Sequence, residues 1–230
     1  MNSNPNPNFA RWARLALCAA GACLSLLANR VSAAPILVDS YTAPNAPHNA
    51  VRAAVSSMFF RDFDASVVGG VREATYNVYA NPQRSPAALS LGRGQVGVGA
   101  GIGALGELVI AYGAYTRPHN PNEGGPLLNL DLSTHHAVEL VFRGVEYGLN
   151  LNVELYTGTP LDAKNPVYYT LASVNAAPAA PGQPLVVRLP YDPADGFNYA
   201  KVDGVVVLID RSGSATQNAY TLSEVRFVDD

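Results

Sequence analysis

Lysine is almost missing from this 230-residue sequence, which holds only Lys164 and Lys201. Charged residues make up 14% of the chain, and acids outnumber bases 18 to 15. That balance excludes nucleic acid as a partner, because phosphates require a basic face. Tryptophan occurs once, at Trp12, and cysteine twice, at Cys18 and Cys23. All three fall in the first 33 residues, so the rest of the chain has no disulfide, no cysteine nucleophile and no thiolate metal site. It also lacks the indole platform that grips crystalline polysaccharide. Long unbranched helix formers such as Lys, Met and Gln are few, and no apolar run reaches the roughly 20 residues that a membrane-spanning helix needs. What is abundant is Gly (20), Pro (17) and Tyr (12), in a chain that is 48% hydrophobic. Such a composition excludes disorder and predicts an all-β fold.

The first 33 residues read as an address. Arg11 and Arg14 precede the uncharged run Leu15 to Ala28, and Val31-Ser32-Ala33 offers the small-x-small exit of a secretory signal. The run is too short for a bilayer about 30 Å thick at a rise of about 1.5 Å per residue. Ala20-Gly21-Ala22-Cys23 is a poorer, lipoprotein-type exit, without a large aliphatic residue three before the cysteine. The expectation is a cleavable signal peptide over 1–33, a single domain over 34–230, and no stable membrane anchor. Losing Arg11, Arg14 and Arg30 leaves 12 basic residues against 18 acidic ones, a net charge of −6.

Beyond Ile36 the dominant period is two. Leu149, Leu151, Val153 and Leu155 alternate with Asn150, Asn152, Glu154 and Tyr156, the pattern of a half-buried strand. Val138, Leu140 and Phe142 alternate just before it, and Gly144 to Gly148 between them predicts a hairpin. Leu185 to Leu189 forms another strand. The continuous apolar run Val205 to Ile209 suits a central strand covered on both faces. In Tyr220 to Val228 the phase breaks once, at Ser223-Glu224, where a bulge is expected. Ile36–Tyr41, Ala74–Tyr79, Ala87–Leu91, Glu107–Tyr112, Leu127–Leu132 and Val167–Val174 are further strands. Asn175–Pro184 reads as a loop within the domain. The nearest approach to a helix is Ala50–Met58, whose end is weak. About ten short strands without helices read as an antiparallel β-sandwich. An outer-membrane barrel is excluded by Val205–Ile209, which breaks the lipid-out, lumen-polar alternation.

Gly101-Ile102-Gly103-Ala104-Leu105-Gly106 matches the dinucleotide pattern, but the next residues, Glu107–Tyr112, read as a strand and not as the helix whose N-terminus would hold a pyrophosphate. No nucleotide is expected. Gly97, Gly99, Gly101 and Gly103 instead alternate along a strand or loop with one bare face, which lets another group approach closely. His135 and His136 point to opposite faces of any strand, and no third zinc ligand converges on either. The polar stripe Asn150, Asn152, Glu154 and Tyr156 is the candidate ligand site, because amides and carboxylates hydrogen-bond sugar hydroxyls and a Tyr ring stacks on a sugar face. A solvated outer face is the alternative. Glu139 and Arg143, on the other arm of the hairpin, would widen the site. Glu139 and Glu154 could alternatively serve as paired carboxylates for glycoside hydrolysis, or as ordinary surface charge.

Four segments carry a family resemblance: Ile36-Leu37-Val38-Asp39-Ser40-Tyr41, Val68-Gly69-Gly70-Val71-Arg72-Glu73, Leu128-Asn129-Leu130-Asp131-Leu132-Ser133 and Thr221-Leu222-Ser223-Glu224-Val225-Arg226-Phe227. Together they resemble exported bacterial proteins of the PEP-CTERM type, whose bodies are similar to jelly-roll carbohydrate-binding modules of the galactose-binding-like fold. The sequence departs from them in ending at Asp229-Asp230 without a sorting helix or basic tail. The resemblance implies a jelly-roll-like sandwich and a secreted or periplasmic product. It also implies a structural calcium, for which Asp39 and Glu224 are the candidate carboxylates. No other cofactor is expected. The leading expectation is a non-catalytic module binding carbohydrate or matrix polymer. A surface-assembly protein with protein partners and a carbohydrate-active enzyme are the alternatives.

Export is directly testable. Mass spectrometry of secreted material should show a chain beginning at Ala34, and an intact N-terminus or a lipid on Cys23 would refute the leader assignment.

Overall fold

Alternation along the sequence is realised as strands nearly throughout. The computed structural model describes residues 32–42, 48–114, 116, 125–158, 167–170, 174–177, 180, 182–210 and 218–229. The leader expected over 1–33 lies outside them apart from its last two residues. The strands are β1 (Ile36–Asp39), β2 (His48–Arg52), β3 (Ser56–Phe63), β4 (Val71–Ala80), β5 (Ala87–Leu91), β6 (Val96–Ala100) and β7 (Leu105–Gly113). They continue with β8 (Ala137–Val145), β9 (Leu149–Thr157), β10 (Val167–Thr170), β11 (Val174–Ala176), β12 (Leu185–Pro190), β13 (Gly204–Ile209) and β14 (Asn218–Val228). A 3-10 turn, Val68–Gly70, is the sole helical element among the described residues. Ala50–Met58 belongs to β2, β3 and the bend between them.

Two seven-stranded antiparallel sheets face one another. The first runs β12-β8-β14-β6-β5-β2, with β1 also paired to β14, and the second runs β10-β9-β13-β7-β4-β3, with β11 also paired to β9. The chain crosses repeatedly between the sheets, giving a jelly-roll-like sandwich. Val38, Leu140, Phe142, Leu151, Val153, Leu155, Ile110 and Phe227 are fully buried between the layers. Each such side chain contributes about 1.5–3 kcal/mol by leaving water. Val205–Ile209 is central, flanked by β7 and β9, and all of β13 is buried. The ladder of β14 shifts between Leu222 and Glu224, the bulge expected at Ser223. Leu127–Leu132 is reduced to a single bridge between Leu130 and Val202.

The expected hairpin does not form. β8 pairs with β12 and β14 in the first sheet, whereas β9 pairs with β10, β11 and β13 in the second. Gly144 and Val145 end β8, and Glu146 to Gly148 carries the chain from the first sheet to the second. Alternation tells which face of a strand is apolar but not which sheet receives it.

At one end of the core a buried charge network joins the layers. Arg72 of β4 is only 1% exposed. Its Nη1 donates to both carboxylate oxygens of Asp39, on β1 of the first sheet, at 2.8 and 3.0 Å. Its Nη2 and Nε donate to Oδ2 of Asp62, the cross-strand partner on β3, at 3.0 and 3.3 Å. Nε2 of His48 lies 2.7 Å from the other Asp62 oxygen. Tyr112 donates to Asp39 at 3.2 Å and shares a 2.9 Å hydrogen bond with Tyr41, whose ring lies 5.3 Å from the guanidinium. The Tyr41 N–H also donates to Asp39 at 2.7 Å, which holds this residue at φ 52°. Burial pushes the Asp39 carboxyl up from its ordinary range, against the pull of Arg72. Burial likewise lifts the hydroxyls of Tyr41 and Tyr112 well above the usual tyrosine range, so both stay protonated donors.

Of the two carboxylates that the resemblance offers for calcium, Asp39 is thus engaged in an ion pair. A guanidinium already occupies both oxygens of Asp39. Glu224 is half-buried beside Arg226, whose Nη1 donates to it at 2.8 Å. Among the described residues no group of three His, Cys, Asp or Glu could hold a metal ion.

Replacing Arg72 by Leu strands two buried carboxylates and should lower stability by about 3–5 kcal/mol. Because Asp39 has a raised native pKa, its favourable linkage is complete below the ordinary carboxylate range and is lost as pH rises through the native value. Removing Arg72 raises that value further. The loss measured by urea unfolding should therefore be largest near neutrality and shrink on acidification.

Candidate functional site

With Leu149, Leu151, Val153 and Leu155 turned into the core, Asn150, Asn152, Glu154 and Tyr156 necessarily line the outer face of the second sheet. The sequence-predicted stripe is therefore real as geometry. Its surroundings differ from those expected. Across β13 and β7 the same face carries Val206, Leu208 and Ala111, each at most 8% exposed, with Val109 and the Tyr156 ring packed on them. Register places Leu208 beside Asn152 and Val109, and Val206 beside Glu154 and Ala111. This is an apolar floor on the face of the sheet turned away from the core.

Two polar walls bound that floor. On the β9 side, Tyr156 donates a short hydrogen bond to Glu154. Asn152 is 6% exposed, and its amide oxygen has no hydrogen-bond partner. On the opposite side, Glu73 and Thr75 of β4 lie beside Ala111 and Val109. Arg61 of β3 sits opposite Glu73, with Nη2 at 2.5 Å from its carboxylate, and its guanidinium lies 5.9 Å from the Phe63 ring. The Nε of Arg61 is buried and unpartnered. One step along the sheet, Tyr79 donates to Glu107. From β4 to β9 the face spans three strand spacings, about 14 Å. Such a surface suits a ligand with an apolar face and hydrogen-bonding groups around its edge.

The remaining expected site residues lie elsewhere. Glu139 and Arg143 stand on β8, in the first sheet, on the far side of the sandwich from Glu154. Glu139 pairs with Arg226 at 2.8 Å and with Arg188 at 3.7 Å, so it neither widens the stripe nor forms a carboxylate pair with Glu154. His135 contacts the Ala34 carbonyl at 3.0 Å and His136 contacts Asp229 at 2.9 Å, both ahead of β8. Gly101–Gly106 runs into strand β7, not into a helix. Arg61, Glu73, Ala111, Val206 and Leu208 had not been singled out. Their signal was available in Phe59, Arg61 and Phe63, which alternate with inward Met58, Phe60 and Asp62, and in the all-apolar run of β13.

No protein-family model matches the chain, and no curated protein matches it. Among solved structures it is similar to the family 11 carbohydrate-binding module from Clostridium thermocellum in complex with a β-1,3-1,4-mixed-linked tetrasaccharide. The two share 6% identity over 87% of this chain and 98% of that one, with a TM-score of 0.42. It is also similar to a family 29 carbohydrate-binding module from Piromyces equi, at 10% identity over 75% of this chain and 91% of that one, TM-score 0.34. A third is the carbohydrate-binding module TmCBM27, known for specific mannan recognition, at 13% identity over 86% and 99%, TM-score 0.34.

An unpaired buried acceptor lowers stability by about 1–3 kcal/mol relative to an apolar group of similar shape. Replacing Asn152 by Leu should therefore leave the urea midpoint unchanged or raise it. A clear loss of stability would show that the amide is already satisfied by the fold.

Proposed function

We propose that this chain is an exported, non-catalytic β-sandwich that binds carbohydrate on the outer face of its second sheet. The observation that carries the reading is the apolar floor of Ala111, Val206 and Leu208, bordered by the unpartnered amide oxygen of Asn152. A pyranose ring has the matching form, with C–H bonds on its faces and hydroxyls around its rim. In a chain of such rings, ring faces lie against the floor and Tyr156, hydroxyls of one ring reach Asn152 and Glu154 on the β9 wall, and those of a ring farther along reach Arg61 on the other. Glu73 and Glu154 are each engaged by a neighbour, Arg61 and Tyr156, which supports holding a ligand in preference to cleaving it. The leader over 1–33 supports secretion or delivery to the periplasm. Kinship with the PEP-CTERM type of exported protein belongs to the same proposal.

The test is a screen of soluble polysaccharides, followed by calorimetric titration of the best binder. Asn152→Leu, Glu154→Ala and Tyr156→Ala should each weaken binding about tenfold or more, which is about 1.4 kcal/mol or more. Asn152→Leu should do so with no loss of folding stability. If no polysaccharide binds, or if all three variants bind like the parent, the reading fails and protein partners become the better explanation.

A further inference from the structure

The opposite face of the sandwich carries a groove of about 680 Å³, within the range of ligand sites. Its floor is two rows of small side chains laid across the first sheet. Ala88, Gly99 and Ala219 form one row, and Ser90, Gly97, Thr221 and Gly144 form the other. Arg143 and Tyr147 rise beside it, with Glu146 next to the tyrosine. The groove crosses β5, β6, β14 and β8, about 14 Å at the usual strand spacing.

Packing explains one of these glycines. A Cβ on Gly97 would stand 2.8 Å from Oγ of Ser90. At Gly99 and Gly144 a Cβ would meet no atom within 4 Å, and neither residue has a left-handed φ. Glycine weakens a strand interior; Gly144 stands at the register shift of β8 on β14, where a bulge favours glycine, but the fold alone gives no reason for Gly99. Both open into the same groove, whose floor is thus kept bare for something that lies upon it.

Charge indicates what that is. Arg61, Arg72, Arg188 and Arg226 each face a carboxylate. Arg143 faces none among the described residues, and its Nη2 reaches toward Gly94 in the β5–β6 turn. Arg93, exposed on that turn, lines an adjoining pocket of about 180 Å³ that shares Ser90 with the groove, and it too lacks a carboxylate partner there. Two uncommitted guanidiniums at one end of a groove, in a chain with more acids than bases, complement an anion. The backbone groups of a sheet face are consumed in its ladders, so the groove offers no strand edge to an extended peptide. It offers hydroxyls from Ser90 and Thr221, the Tyr147 ring and the two guanidiniums.

We propose that this groove is a second binding site, which takes a linear polysaccharide bearing carboxylate groups. The site is independent of the outer face of the second sheet. It is tested with the full chain by affinity electrophoresis in gels containing polygalacturonate, its fully methyl-esterified form, or polyglutamate. Polygalacturonate should retard the protein and the other two polymers should not. Gly99→Leu, which fills the open space, and the double variant Arg93→Gln with Arg143→Gln should each weaken retardation at least tenfold. Asn152→Leu, on the other face, should be retarded like the parent, so loss of one site is distinguishable from loss of the other. Urea midpoints check folding, and the arginine variant decides the matter if Gly99→Leu is unstable. Absence of retardation by polygalacturonate, equal retardation by polyglutamate or by the esterified polymer, or full retention of binding by the arginine variant would overturn the proposal.

Discussion

A single guanidinium sets the relation between the two layers. Arg72 lies inside the sandwich, where an isolated charge is prohibitively expensive, and survives there because Asp39 arrives from one sheet and Asp62 from the other. Buried ion pairs are weak contributors to net stability, but they are strict about geometry. A slip of β4 by one residue would turn Arg72 outward, leave two carboxylates unpaired and push Glu73 into the core. The same interaction therefore fixes which side chains β4 presents to solvent. Glu73 and Thr75 face the apolar floor because Arg72 faces Asp39.

The two outer faces that result are chemically unlike. One has bulky apolar residues at its centre and polar walls, with its cations tied to carboxylates. The other carries a groove floored by residues with almost no side chain and bordered by Arg93 and Arg143, which form no ion pair among the described residues. A sandwich of this kind separates its surfaces by the full thickness of the core, so each can vary without disturbing the other. Strand β9 serves the first face and β8 the second, although only three residues separate them in the chain.

Local information was legible in the sequence, and non-local information was not. Period two announced the strands, the broken phase at Ser223 announced the bulge, and the unbroken apolar run of β13 announced a central strand. The outward set of β9 followed from parity alone. Nothing local distinguishes a hairpin from a corner that changes sheets, so Glu139 and Arg143 were assigned to the wrong layer. The ion pair of Asp39 was not legible because its partner Arg72 lies 33 positions away, and the pairing requires the two sheets to be assembled first. The floor of the candidate site escaped for a related reason. Val206 and Leu208 read as core, and only the assembled sheets show that they form a separate buried cluster on the face turned away from it.

Strand β14 occupies the middle of the first sheet, between β8 on one side and β6 and β1 on the other, yet among the described strands it comes last in chain order. Until it is available, β1, β6 and β8 have no common partner, and the sheet is a set of unconnected fragments. Contacts so distant along the chain form slowly, because loop closure must precede any reward from pairing. A chain with this topology therefore leaves its first sheet open for as long as β14 is held back. It closes only when that segment is released.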